Sequence, residues 1–188
     1  MNAPEFQRLA RLNPVNAAIL DRLPQLGVQQ AHLVAGALFG AVWNARSGEP
    51  PASQVRDYDV FYWDDDLSYE AEDAVIRRAG LLFGDLHVPV EVRNQARVHL
   101  WFKGRFGQDR PPLGSVREGI DQFLVECTCV GIGARGEVYA PYGLSDMAAG
   151  ILRPNPRNHT PGLCDAKIAD YRRRWPWLSV AGPSAGRA

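Results

Sequence analysis

Apolar residues recur at near-helical spacing through the start of the chain: Leu9, Leu12, Ile19, Leu20, Leu23 and Leu26. Such a stripe buries one face of a helix. Asn13-Pro14 interrupts it and Pro24 and Gly27 end it, so two short helices are predicted. Residues 31–35 read as a short buried strand. They lead through Gly36-Ala37 into an apolar stretch, residues 38–45, that is long enough for a helix and stops at Ser47-Gly48. Residues 57–63 form the clearest strand, with Val60, Phe61, Tyr62 and Trp63 supplying β-favouring side chains before the acidic break at residues 64–66. Ser68 precedes an amphipathic helix over residues 70–83, and residues 88–92 form a further strand with Pro89 near its start, where a missing N–H is tolerated.

Beyond that strand the pattern thins. Residues 101–114 are rich in Gly, Pro and cations and read as a loop, and residues 115–123 as a short helix. Two strands, residues 128–134 and 137–140, meet at Gly136, and one or two helical turns occupy residues 143–149. Residues 165–175 form a charged amphipathic helix, with Trp175-Pro176-Trp177 as a staple packing it down. The alternation of strands and helices predicts an α/β or α+β fold with a mixed central sheet flanked by helices. The expected organisation is one domain over residues 1–178: an N-terminal helical segment (1–30), a core (31–156), a C-terminal helix (161–178), and a disordered tail over 179–188.

Composition narrows the function. Lys and Arg number 21 and Asp and Glu number 21, so the formal charge is zero. This argues against an extended nucleic-acid-binding surface, which needs a basic face, but leaves room for one small anionic ligand. Cys127, Cys129 and Cys164 fit neither a disulfide framework nor a zinc spacing and read as buried thiols in a reducing compartment. The first dozen residues carry Glu5, Arg8 and Arg11 instead of a signal-peptide core, and no apolar run approaches the length of a membrane span. A cytoplasmic enzyme is expected.

The candidate chemistry lies in the carboxylates. Asp57 and Asp59 are two apart on a strand and so project to one face. Two like charges held together shift each other's pKa unless a cation sits between them, and a hard divalent ion such as Mg²⁺ takes carboxylate and phosphate oxygens. Glu91 stands amid apolar neighbours on the next strand, where it is able to join the pair. Gly36 lies between a buried strand and a helix, where free amides and close backbone approach suit a phosphate; it serves equally for a tight turn with positive φ. Cations cluster after Glu91, namely Arg93, Arg97, Lys103 and Arg105, and arginine's planar donor fork suits phosphate.

This order of elements, together with the strings Val34-Ala35-Gly36-Ala37, Asp57-Tyr58-Asp59, Glu91-Val92-Arg93-Asn94-Gln95-Ala96-Arg97, Ala140-Pro141-Tyr142-Gly143-Leu144 and Arg153-Pro154-Asn155-Pro156, resembles a family of small bacterial nucleotidyltransferase-like proteins in the polymerase-β-like superfamily. The resemblance covers roughly residues 31–156. It implies that Asp57, Asp59 and Glu91 hold catalytic Mg²⁺, that Gly36 and Ala37 open the phosphate-approaching helix, and that Arg93, Asn94 and Arg97 help bind nucleotide. The implied activity is transfer of a nucleoside monophosphate from a nucleoside triphosphate to an acceptor hydroxyl. The superfamily usually has Ser or a second Gly where this chain has Ala37, so a hydroxyl contact to phosphate is missing. Two alternatives remain open on the residues alone: a catalytically silent nucleotide-binding or protein-interaction module with the same fold, and a metal-dependent nuclease. Gln95 and His99 follow Glu91 closely and are further pocket candidates, and Trp101 is the one tryptophan retained as a base-stacking platform. His32, His87 and His159 are scattered and carry no expected catalytic role.

Overall fold

A computed structural model of the protein describes residues 1–158 and 160–183. The first two helices start where their caps dictate. In α1 (Ala3–Ala10) the Asn2 side chain accepts from the Glu5 amide, and in α2 (Pro14–Arg22) Asn13 accepts from the Val15 and Asn16 amides, with Pro14 in the first turn. A 3₁₀ turn ends at Gly27 and leads into β1 (Gln29–Val34), followed by α3 (Gly36–Ser47) and β2 (Tyr58–Trp63). Ser68 caps α4 (Tyr69–Phe83) by accepting from the Ala71 amide, and β3 (Val90–Asn94) follows. The remaining elements are α5 (Val98–Phe106), α6 (Val116–Asp121), β4 (Gly131–Gly133), β5 (Val138–Tyr139), α7 (Ser145–Ala149), β6 (Ile151–Leu152), α8 (Pro161–Arg174) and β7 (Ser179–Val180).

Five strands form a mixed sheet in the order β3-β2-β1-β4-β5. Within this five-stranded sheet only β2 and β3 pair in parallel; α4 makes the crossover that parallel pairing requires. One face carries Leu33, Val60, Tyr62 and Val92 into the main core, against Phe6, Ile19, Leu38 and Val75 from the flanking helices. The opposite face holds a smaller cluster of Val34, Val116, Ile120 and Cys129, with Phe61, Trp63 and Phe123 packed against it. The burial of β2 alternates strictly: Tyr58, Val60 and Tyr62 are buried, while Asp59, Phe61 and Trp63 are partly open.

Helix α8 is held across α3 by an aromatic cluster. Phe39 and Trp43 of α3 meet Tyr171 and Trp175, with centroid separations of 4.6 Å (Phe39–Trp43), 5.2 Å (Phe39–Tyr171) and 5.0 Å (Trp43–Trp175). The expected terminal staple is present: Trp175 is buried, and the indole of Trp177 donates to Ser47 Oγ at 2.9 Å.

The structure departs from the sequence expectations in two places. The expected loop over 101–114 begins inside α5, which ends at Gly107 in the left-handed conformation (φ 71°); the apolar run Val98 to Phe102 carries the helix past the Lys and Gly that suggested a loop. Residues 179 and 180, assigned to the tail, pair with β6 as a short parallel ribbon. Of the rest of the expected tail, residues 181–183 carry no regular secondary structure and residues 184–188 lie outside the described residues, as does His159.

Asn44 is the polar pin of this arrangement. Fully buried on α3, it donates to the Pro51 (3.1 Å) and Ser53 carbonyls and accepts from Trp175 Nε1 at 2.7 Å. Replacing it leaves the buried Trp175 indole N–H and two part-buried carbonyls without these partners. Asn44→Ala is expected to destabilise the protein by about 2–4 kcal/mol, read as a lower urea midpoint at unchanged slope; a loss under about 0.5 kcal/mol would show that the pin contributes little.

Candidate active site

The parallel register of β2 and β3 places Asp59 directly opposite Glu91, with Tyr58 opposite Val90 and Phe61 opposite Arg93. Partners in register project to the same side of a sheet, so Asp59, Phe61, Glu91 and Arg93 share the open face. Asp57, two residues before Asp59, lines the same cavity. That cavity, about 600 Å³, is bounded by Ala35 and Gly36 at the β1–α3 turn, by Asp57 and Asp59, and by Lys167 and Asp170 of α8.

The electrostatics follow from that crowding. Burial, then the charges of Asp57 and Glu91, push the Asp59 carboxyl up to about 7, while Lys167 and Arg93 act in the opposite direction. Glu91 is exposed, and its carboxylate is turned to Arg93, 3.3 Å away. Among the described residues, no group of three or more His, Cys, Asp or Glu side chains is gathered closely enough to hold an ion as placed. The donor set nevertheless suits a hard divalent cation in its chemistry: three carboxylates, all oxygen donors, on one face, with the central one destabilised as an anion by its neighbours.

The β1–α3 turn supplies the opposite wall. Positive φ falls on Ala35 (φ 54°, ψ −124°) and not on Gly36, which rules out the tight-turn role for that glycine. The Ala35 carbonyl takes the Leu38 and Phe39 amides, so the Gly36 and Ala37 N–H groups open the helix without an intrahelical acceptor. A Cβ at Gly36 would meet only the Phe39 ring, at 4.0 Å, so the space in front of the turn is free. Ala37 is fully buried in the core, its carbonyl accepts from Asn16 at 2.8 Å, and of the two expected residues of the turn Gly36 is the one that lines the cavity.

Two of the expected nucleotide-binding residues are engaged elsewhere. Asn94 is buried, and the alternation of β3 directs it away from the open face. Its Oδ1 accepts from the Asp64 and Ala96 amides, both at 3.1 Å, and its Nδ2 donates to the Asp64 carbonyl at 2.9 Å. Arg97 pairs with buried Glu72 and donates to the Leu67 carbonyl, building the turn after β3. Arg93 remains beside the carboxylates. Sequence reasoning missed the contribution of α8: Lys167, Asp170, Tyr171 and Arg174 stand at i, i+3, i+4 and i+7, one helix face, and all four line the cavity. That spacing was visible in the chain. Asp170 ties the helix to the loop between α3 and β2 through Arg56 (3.0 Å) and is paired with Arg174 (2.7 Å).

The acid pair Asp57 and Asp59 and the glycine-opened start of α3 line one cavity on a mixed sheet with one parallel crossover. Residues 21–180 match the family model described as nucleotidyltransferase, and the chain belongs to that family. A solved NMR structure described as revealing a CCA-adding enzyme head domain is 26% identical, with a TM-score of 0.76 and 96% of each chain covered. A tRNA-processing enzyme in an apo form shares the fold at 12% identity and a TM-score of 0.54, over 88% of this chain and 42% of that one. No curated protein matches the chain. Among the described residues, no helix is long and apolar enough to cross a membrane.

The raised Asp59 pKa fixes a pH dependence. Ionisation opposes the fold, so the penalty is absent below the ordinary value of 3.8, grows as pH rises, and is complete above about 7. In metal-free buffer Asp59→Asn is expected to be more stable than the native protein at pH 8, on the order of 1–3 kcal/mol after solvent screening. The two should melt together near pH 4. An equal difference at both pH values would contradict the assignment.

Proposed function

We propose that the protein transfers a nucleoside monophosphate from a nucleoside triphosphate to an acceptor hydroxyl, with Asp57, Asp59 and Glu91 holding Mg²⁺. The observation that carries this reading is the register of Asp59 with Glu91 on the open face of the sheet, beside a cavity that Asp57, Asp59 and the helix-opening Gly36 line together. Family membership supports the reaction class, and the likeness to a CCA-adding enzyme head domain supports nucleotide transfer.

In this reading the acceptor oxygen bonds to the α-phosphorus, the bond from that phosphorus to the bridging oxygen breaks, and pyrophosphate leaves while the hydroxyl proton passes to solvent. Mg²⁺, when bound, supplies charge neutralisation on the phosphate oxygens. The chain's own groups do the positioning. The Gly36 and Ala37 amides and the partial positive charge of the α3 N-terminus face the phosphates. Lys167 and Arg93 add cationic charge from the two flanks, and α8 walls off one side of the cavity. The three cysteines are buried thiols, and desolvation pushes Cys127 up to about 12, so they take no part and suit a cytoplasmic enzyme.

The direct test incubates the protein with each α-labelled nucleoside triphosphate, Mg²⁺, and a panel of RNA 3′ ends and small hydroxyl compounds. Pyrophosphate release with label transfer is expected, and Asp59→Asn should lower it at least about 100-fold without loss of fold. Degradation of plain RNA or DNA without triphosphate would indicate a nuclease instead, and binding of nucleotide without turnover a silent module.

Gly36→Val tests the phosphate wall separately. Because a Cβ there meets only Phe39 at 4.0 Å, folding is expected to survive while nucleotide affinity falls roughly tenfold or more. Undiminished affinity in a normally melting variant would remove Gly36 from the site.

A further inference from the structure

A second cavity, about 250 Å³, opens on the same sheet face and shares the wall Gln122–Phe123–Leu124 and the side chain of Leu163 with the carboxylate cavity. It is too small for a drug-sized ligand, which takes about 300–1,000 Å³, and large enough for one planar ring system. Phe61 and Phe123, 5.8 Å apart between centroids, form its inner wall; Trp101 and Phe102 of α5, 6.2 Å apart, form the outer one. Its polar lining consists of side-chain amides, two guanidinium groups, the Thr160 hydroxyl and the Trp101 indole, with no carboxylate.

Arg110 is the informative member. Half-buried in this lining, its guanidinium lies 4.0 Å from the centroid of the Phe102 ring and makes no ion pair with any described residue. Desolvation without a compensating charge lowers its pKa. A donor-only group held over an aromatic plane and short of an acceptor is suited to the edge or face of a ligand ring. The side-chain amide of Gln122, which borders both cavities, likewise has no protein partner among the described residues.

We propose that this second cavity is the base subsite of the nucleotide: it holds the planar nucleobase of the triphosphate whose phosphates lie against Gly36 and the carboxylates. The inference rests on the proposed function for the location of the phosphates. Flat aromatic walls on both sides match the π-faces of a base, which stack with little regard to sequence. Amide and guanidinium donors match the nitrogen and oxygen acceptors on a base edge. The shared wall makes the two cavities neighbours, so one ligand is able to occupy both.

Calorimetric titration of the full chain with the Mg²⁺ complexes of ATP, GTP, CTP and UTP, and with inorganic tripolyphosphate, tests this. The tightest nucleotide is expected to bind at least about tenfold better than tripolyphosphate. Trp101→Ala and Arg110→Ala, both at partly exposed positions outside the main core, should each lower nucleotide affinity roughly five- to fiftyfold while leaving tripolyphosphate affinity and the melting temperature unchanged. Equal binding of nucleotide and tripolyphosphate would overturn the base subsite while the phosphate site stands. So would variants that keep full nucleotide affinity and raise only the acceptor KM, because the cavity would then belong to the acceptor. No binding of either ligand, with no pyrophosphate release, would overturn the proposed function as well.

Discussion

The arrangement of the site depends on one register. Side chains on a strand alternate with a period of two, so a one-residue slip between β2 and β3 would turn Glu91 away from Asp59 and replace it with an apolar neighbour. The slip is opposed from the other face, where Tyr58, Val60, Tyr62 and Val92 are buried in the main core. Hydrophobic burial on one side of the sheet thus sets the spacing of carboxylates on the other. The core fixes the geometry, and the acids bear the electrostatic cost of it, visible in the elevated pKa of Asp59.

Around that register the open face is finished by elements remote in sequence. The β1–α3 turn contributes amides, held by the unusual backbone of Ala35, a non-glycine residue at positive φ. Such a conformation costs on the order of 1–3 kcal/mol and persists only where the surroundings impose it; here the Ala35 amide is tied to the Val130 carbonyl and its own carbonyl to Leu38 and Phe39. Helix α8 closes the cavity from the C-terminal side. Its placement follows from aromatic packing on Phe39 and Trp43 and from the Asn44–Trp175 hydrogen bond. Phe39 therefore has two functions: it anchors α8 and it floors the cavity.

The charged residues after Glu91 show how a linear cluster divides in space. Arg93 stays with the carboxylates because it is two residues from Glu91 on the same strand face. Asn94, one residue further, faces the core side and knits the strand end to Asp64, and Arg97 neutralises buried Glu72. A buried carboxylate without a partner is costly, so Arg97 is held there by the fold's own requirement. Of the cations that line the cavity in its place, Lys167 and Arg174 come from a helix some 70 residues later and Arg56 from the loop before β2.

The sequence by itself determined the elements that local chemistry controls. Caps at Asn13 and Ser68, the β-favouring run of β2, the Asp57–Asp59 spacing and the strand–glycine–helix order are properties of adjacent residues, and the nucleotidyltransferase class was legible through the resemblance that this order and strings such as Glu91-Val92-Arg93-Asn94 bear to a known family. Periodicity also placed Glu91 on a strand. It did not decide which strand lies beside β2, because parallel pairing joins segments separated by a whole helix. Nor did it bring α8 over the cavity, set the positive φ on Ala35 instead of a glycine, or turn Asn94 and Arg97 inward. Those outcomes depend on long-range burial and on which polar groups need partners once the core has closed, quantities that exist only when distant segments meet.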